Sequence, residues 1–149
     1  MEKYQHCEYL DKVIVTDNLK KTVALVIKAL KPHKDKFDAI AFCGMSGALI
    51  APIIALKLNK PMIMVRKPKT KTLECHSSYN TEGYKAAKTY IILDDLVATG
   101  KTARYIKLSI EIFSPDAKCL GMFCYRHINK ENCKQSLDTQ LVTYWMNKI

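Results

Sequence analysis

Acidic residues are in short supply in this chain: 14 Asp and Glu stand against 24 Lys and Arg, a net charge of +10 over 149 residues. A surface of that sign attracts polyanions, whether nucleic acid, membrane phosphates or a small phosphorylated substrate, and does not choose among them. Also missing is any apolar run behind the first six residues, which carry charge of both signs, so no secretory signal is expected. Although there are six cysteines, no CxxC pair occurs and their spacing fits no disulfide framework, so free thiols are expected. A zinc set of Cys119, Cys124, His127 and Cys133 is disfavoured because Cys119 lies in an apolar run with the character of a core strand. No internal repeat and no low-complexity segment is present.

Long hydrophobic runs are absent with one exception. Ala39 to Leu56 contains no charged residue, but Gly44-Met45-Ser46-Gly47 and Pro52 interrupt it. A buried strand, a glycine turn and an apolar helix explain that pattern better than a membrane span.

Present in quantity is apolar material, 48% of the residues, enough for one packed core at this length. Residues 1–149 are therefore expected to form a single domain. The positive charge is concentrated in two stretches. Lys20 to Lys36 has six lysines against Asp35, which suits a solvated helix face, whereas Lys57 to Lys71 has five lysines and Arg66 with no acid.

Leu19, Val23, Val26, Ile27 and Leu30 recur at helical spacing, which predicts an amphipathic helix over 18–30 with Asp17 or Asn18 as its cap. Strands are predicted over 37–43, 61–65, 90–93 and 117–125, a further strand over 140–146, and helices over 47–58 and 102–113. Residues 66–88 are polar, contain Pro68 and Gly83 and hold no sustained period, so a long mobile loop is expected there, about 67–88. Strands that are continuous apolar runs alternating with helices predict an α/β domain, its mainly parallel sheet flanked by helices. Ligands of such sheets gather beyond the carboxyl ends of the strands, where Gly44-Met45-Ser46-Gly47, Arg66-Lys67 and the segment from Asp94 to Thr102 all fall.

That last segment carries the chemistry. A buried strand ends in Asp94-Asp95, and the small residues Ala98-Thr99-Gly100 then open a helix. Gly100 permits a tight turn, the helix N-terminus favours a dianion, and Thr99 and Thr102 add hydroxyl donors, so a phosphate fits. Gly100-Lys101-Thr102 matches the end of a Walker A motif, but the glycine that motif needs five residues earlier is Asp95. Carboxylates beside a phosphate cup repel the ligand unless they bind hydroxyls or a metal ion, and a phosphorylated sugar with Mg²⁺ meets both conditions.

The run Tyr90-Ile91-Ile92-Leu93-Asp94-Asp95-Leu96-Val97-Ala98-Thr99-Gly100-Lys101-Thr102 resembles the signature by which type I phosphoribosyltransferases bind 5-phosphoribosyl 1-pyrophosphate (PRPP). The resemblance implies that Ala98, Thr99, Gly100, Lys101 and Thr102 hold the 5-phosphate. Asp94 and Asp95 would take the ribose hydroxyls, directly or through metal-bound water. Met45, Ser46 and Gly47 are similar to the loop that grips pyrophosphate, often through a non-proline cis peptide, and Arg66 and Lys67 stand where the family sets a basic pair against it.

Within the family the pattern is most similar to adenine phosphoribosyltransferase. Val65-Arg66-Lys67, the loop Ser78-Tyr79-Asn80-Thr81-Glu82-Gly83-Tyr84, and alanine at 98, where hypoxanthine-guanine enzymes usually carry an acid, support this. Three departures leave the acceptor base open. Ser46 stands where adenine enzymes often have arginine, Glu82-Gly83-Tyr84 permutes their glutamate-tyrosine-glycine, and the N-terminal hood that reads the base is short. The resemblance covers Phe37 to about Arg104, and a C-terminal extension, about 127–149, matches no family pattern.

The implied activity is Mg²⁺-dependent transfer of phosphoribosyl to a nucleobase, a purine and adenine in preference, with pyrophosphate leaving. Mg²⁺, Arg66 and Lys67 would stabilise the departing charge. Closure of the loop with Ser78, Tyr79 and Glu82 would exclude water. Glu82 would steer a proton on the base or stand in solvent. Phe123, Tyr125 and Arg126 would read the base, or the aromatics would be core. A cytoplasmic homodimer with no membrane association is expected. The competing reading is a regulator that keeps PRPP binding without turnover and holds RNA or DNA on its basic surface; no nucleic-acid motif favours it.

Overall fold

The computed structural model describes residues 10–67, 80–95 and 100–127. The elements follow in the order α1 (Asp11–Ile14), α2 (Thr16–Leu30), a 3₁₀ turn (Lys31–Lys36), β1 (Ala39–Cys43), α3 (Gly44–Leu58), β2 (Met62–Val65) and β3 (Thr81–Gly83). After these come β4 (Thr89–Asp94), α4 (Lys101–Phe113), β5 (Lys118–Cys124) and a second 3₁₀ turn (Tyr125–His127). The strands form one five-stranded sheet in the order β3-β2-β1-β4-β5. β1 pairs in parallel with β2 and β4, β4 with β5, and only β3 runs antiparallel, on the edge against β2. The expected mainly parallel sheet flanked by helices is therefore found.

Burial explains why the central strands are unbroken apolar runs. Every residue of β1 is buried, and so are Tyr90 to Asp94 of β4, because both faces of the sheet are covered. On one face Val26 and Leu30 of α2 and Ile50, Ile54 and Leu58 of α3 pack against Ile40, Phe42, Ile91, Leu93 and Phe123. On the other, Ala103, Ile106 and Ile110 of α4 meet Ala39, Ala41, Ile63, Val65, Tyr90, Ile92 and Met122. No helix among the described residues is long and apolar enough to cross a membrane.

Four local expectations are corrected. α2 begins at Thr16 behind Val15, so Asp17 lies inside the first turn and no side chain caps the helix. The turn of α1 runs almost directly into it, and Leu19 N–H already donates to the Val15 carbonyl. α3 begins at Gly44 rather than Gly47, so the glycine-rich stretch is the helix's first turn. Among the described residues no peptide bond is cis. Finally, the expected loop over 66–88 contains β3, which pairs Thr81, Glu82 and Gly83 with Val65, Met64 and Ile63. A side chain at Gly83 would overlap the Met62 carbonyl oxygen, so this strand admits only glycine at that point. The strand expected over 140–146, the C-terminal extension beyond 127 and the loop residues 68–79 lie outside the described residues.

Candidate functional site

β4 delivers Asp94 and Asp95 to the carboxyl edge of the sheet, each only 4% exposed. Two hydrogen bonds hold Asp94 Oδ1: the Ser46 hydroxyl donates across 2.8 Å and the Asp95 backbone N–H across 2.9 Å. Burial still dominates its chemistry and pushes the Asp94 carboxyl up to about 6, with the two hydrogen bonds opposing the rise and the neighbouring Asp95 adding to it. Asp95 has a cation within reach, Arg126 Nη1 at 3.9 Å from Oδ2, and its carbonyl accepts the Arg126 backbone N–H at 3.0 Å.

The first turn of α3 lies beside this pair. A Cβ on Gly47 would stand 2.8 Å from Phe42 Cβ and 3.3 Å from the Leu93 carbonyl oxygen, so the turn rests directly on β1 and β4. Met45, next to Ser46, is exposed. At Gly44, φ is +71°, and a Cβ there would meet Lys67 Cε at 2.8 Å; the lysine stem thus crosses the corner where β1 turns into α3. Lys67 and Asp94 both act electrostatically on Cys43, whose thiol burial pushes up to about 11. Burial, with Asp94 and Asp95 adding to it, raises the Cys124 thiol to about 12. Neither is a nucleophile at neutral pH.

Arg66 follows β2. Its Nη2 donates to both oxygens of Glu82, at 2.9 and 3.1 Å. Its backbone is held as well: the N–H donates to the Asn80 carbonyl at 2.6 Å, and the Tyr105 hydroxyl donates to its carbonyl at 3.0 Å. Asn80 Nδ2 in turn donates to Tyr105 and to Ser109 of α4. Glu82 is thus a half-exposed residue of the edge strand β3, held as one half of an ion pair with Arg66.

Gly100, with φ +74°, is buried at the start of α4, where Lys101 and Thr102 are exposed. Ala98 and Thr99, and in the loop Ser78 and Tyr79, lie outside the described residues. Phe123 and Tyr125 are core side chains, 6% and 4% exposed, and present no face to a base. Phe123 packs in the α3-side cluster, while the Tyr125 hydroxyl donates to the Ser46 carbonyl at 2.9 Å. Arg126 is turned to Asp95. Among the described residues no group of three His, Cys, Asp or Glu side chains could hold a metal ion, and Cys43, Cys119 and Cys124 are free thiols.

The fold thus gathers Asp94, Asp95, Ser46 and Arg126 at one edge, with Lys67 crossing beside them and Arg66 tied to Glu82 beyond β2. Sequence reasoning missed Tyr125 as a polar anchor, and Asn80, Tyr105 and Ser109 as the group that fixes the Arg66 backbone. A helical wheel of α4 puts Ser109 beside the inward stripe of Ala103, Ile106 and Ile110, with Tyr105 one turn before it on the same row, which was the available signal.

No protein-family model matches the chain. It is 36% identical over 98 residues to an adenine phosphoribosyltransferase of Bifidobacterium animalis subsp. lactis, covering 58% of this chain and 51% of that one. Its fold matches adenine phosphoribosyltransferase of Saccharomyces cerevisiae, solved with adenine and an imino-altritol bisphosphate, at a TM-score of 0.56 and 26% identity over 76% of this chain and 70% of that one. It also matches an orotate phosphoribosyltransferase of Aeropyrum pernix, at a TM-score of 0.59 and 15% identity over 78% and 63% of the two chains. The chain spans about half the length of the curated relatives it matches. It is a homologue of adenine phosphoribosyltransferases and has the type I phosphoribosyltransferase fold.

Proposed function

We propose that this homologue of adenine phosphoribosyltransferases binds PRPP with Mg²⁺ and transfers the 5-phosphoribosyl group to a nucleobase, adenine in preference, releasing pyrophosphate. One observation carries the reading: two almost fully buried carboxylates, Asp94 and Asp95, stand at the carboxyl end of β4, ahead of the helix that Gly100 opens. Buried acids that cost folding energy point to a ligand that repays it. Vicinal ribose hydroxyls are such a ligand, donating to Asp94 and Asp95 while the 5-phosphate sits on the backbone amides at the start of α4, with Ala98, Thr99, Gly100, Lys101 and Thr102 around it.

The departing pyrophosphate meets the backbone amides of the first turn of α3 at Met45, Ser46 and Gly47, and the cations Arg66 and Lys67. Their charge stabilises the negative charge that builds on the leaving group as positive charge grows on the anomeric carbon. To meet pyrophosphate, Arg66 exchanges one anionic partner, Glu82, for another. Glu82, once released, faces the acceptor side as a carboxylate able to take a proton from the base.

Asp94 and Asp95 are hard oxygen donors and fit Mg²⁺, but two carboxylates make no cage, so they would hold the ion together with water and substrate oxygens. Bound Mg²⁺ supplies neutralisation of the pyrophosphate oxygens. The loop with Ser78 and Tyr79 closes over the sugar and keeps water out. A single domain over residues 1–149, a homodimer and a cytoplasmic location complete the reading.

The test is direct. The chain is incubated with PRPP, Mg²⁺ and a panel of bases, and pyrophosphate and nucleotide are followed. AMP formation from adenine is the expected result; no product with any base, together with no calorimetric uptake of PRPP, overturns the proposal.

A further inference from the structure

We propose that Tyr125 and the side chain of Ser46 are positioning residues that fix the carboxylate of Asp94 toward the sugar hydroxyls, an inference that rests on the PRPP reading above. A serine in the first turn of a helix ordinarily turns its hydroxyl onto neighbouring backbone or into water. Ser46 instead spends it on a carboxylate 48 residues away, at 2.8 Å.

The same residue is gripped a second time, at its carbonyl, by the hydroxyl of Tyr125 at 2.9 Å. A carbonyl has two lone pairs, so this bond adds to the helix's own ladder rather than competing with it. Tyr125 is 4% exposed and stands one residue beyond Cys124, which is the register partner of Asp94 on β5. The contacts therefore close a circuit: Asp94 to Ser46, Ser46 to Tyr125, and Tyr125 through Cys124 back across the sheet to Asp94.

The circuit has little slack, because Gly47 seats the turn against Phe42 and the Leu93 carbonyl with no space for a methyl group. Both described hydrogen bonds to Asp94 land on Oδ1, one from the Ser46 hydroxyl and one from the Asp95 N–H. Two donors from different directions on one oxygen set the plane of the carboxylate. The serine thus ties the turn expected at pyrophosphate to the acid expected at the ribose.

Positioning and direct contact with pyrophosphate differ in what they predict. Calorimetry on the full chain with Mg²⁺ would compare PRPP, ribose 5-phosphate and inorganic pyrophosphate as ligands. Ser46→Ala is expected to weaken PRPP and ribose 5-phosphate by roughly tenfold and pyrophosphate by less than about twofold, the loss of one charge-assisted hydrogen bond felt only at the sugar. Ser46→Thr, which keeps the hydroxyl, should restore PRPP affinity, and Tyr125→Phe should weaken it in the same pattern but less.

Unchanged PRPP affinity in Ser46→Ala overturns the inference, as does an equal loss for pyrophosphate, which would make Ser46 a direct ligand of that group. A lowered melting temperature with intact affinity would reduce both residues to structural ones and also overturns it. The unsubstituted chain is measured first: if it takes up no PRPP, the functional reading fails and this inference falls with it, whereas uptake by the parent with no change in the variants removes the inference alone.

Discussion

Arg66 and Glu82 share a single nitrogen: Nη2 of the guanidinium donates to both carboxylate oxygens, at 2.9 and 3.1 Å. The two side chains are 39% and 41% exposed, so the pair is screened by solvent and contributes about 0–1 kcal/mol to the fold. Glu82→Gln is therefore expected to leave urea unfolding nearly unchanged. Arg66→Ala should also leave the fold nearly intact, yet weaken pyrophosphate binding by tenfold or more, about 1.4 kcal/mol or above for a lost charge-assisted contact. Urea unfolding checks the stability of both variants, and calorimetric titration with inorganic pyrophosphate checks the affinity. Equal pyrophosphate affinity in Arg66→Ala would remove that residue from the anion site.

The corner at Gly44 gives a second prediction. With φ at +71°, any other residue there is strained, and a methyl group would press on Lys67 Cε. Because that neighbour is the flexible stem of a lysine, it can move aside, so the stability cost of Gly44→Ala should stay near the left-handed backbone penalty of about 1–2 kcal/mol. The displaced ammonium, however, no longer crosses the corner beside Asp94. A loss of anion affinity alongside the modest stability loss is expected, read by titration with pyrophosphate and by urea unfolding. Gly44→Ala with full stability would contradict the strain.

Much of this architecture can be read from the residues alone, and the reasons for the exceptions are physical. β1 and β4 are legible because a strand covered on both faces needs apolar residues without alternation, as Ala39–Cys43 and Tyr90–Leu93 supply. β3 is not, because three residues with a glycine among them carry no period and owe their conformation to the hydrogen bonds offered by the edge of β2. Asp94 and Asp95 are legible as a site since adjacent acids at the end of an apolar strand have no place in a core without a ligand. What Ser46 does with its hydroxyl is not, because that depends on α3 starting at Gly44 and on a contact across the sheet edge. Likewise Tyr125 is an aromatic at a strand end in either reading, and only its burial and its bond to the Ser46 carbonyl separate a core anchor from a platform for a base.

The burial of Asp94 sets a pH dependence whose sign is opposite to that of most folded carboxylates. Its carboxyl is raised from 3.8 to about 6, chiefly by desolvation. Between those values the folded chain keeps a proton that the unfolded chain has lost, so stability contributed by this group is full below pH 4 and declines as pH rises to about 6. Two pKa units correspond to about 3 kcal/mol as an upper figure. Replacing Asp94 by Asn removes the group and should flatten that decline, which urea unfolding of the parent and variant at several pH values from 4 to 7 would show. A variant whose profile still parallels the parent would mean that Asp94 ionises normally.

Asp95→Asn separates stability from function most sharply. The substitution keeps the shape of the side chain and removes one of two adjacent buried negative charges, and Asp95 is among the groups that hold the Asp94 carboxyl high. Relief of that repulsion offsets the loss of the Arg126 contact, which at 3.9 Å is a long one. The melting temperature is therefore expected to hold or rise. Mg²⁺-dependent PRPP affinity should nevertheless fall by tenfold or more, since a neutral amide is a poorer partner for both ribose hydroxyls and a divalent ion, about 1.4 kcal/mol or above. Lys20→Ala, on the exposed surface of α2, changes the net charge by one unit away from the site and should leave PRPP binding as it is. If Asp95→Asn and Lys20→Ala both bind PRPP as well as the parent, the acid pair does not hold the ligand, and the sugar is bound elsewhere.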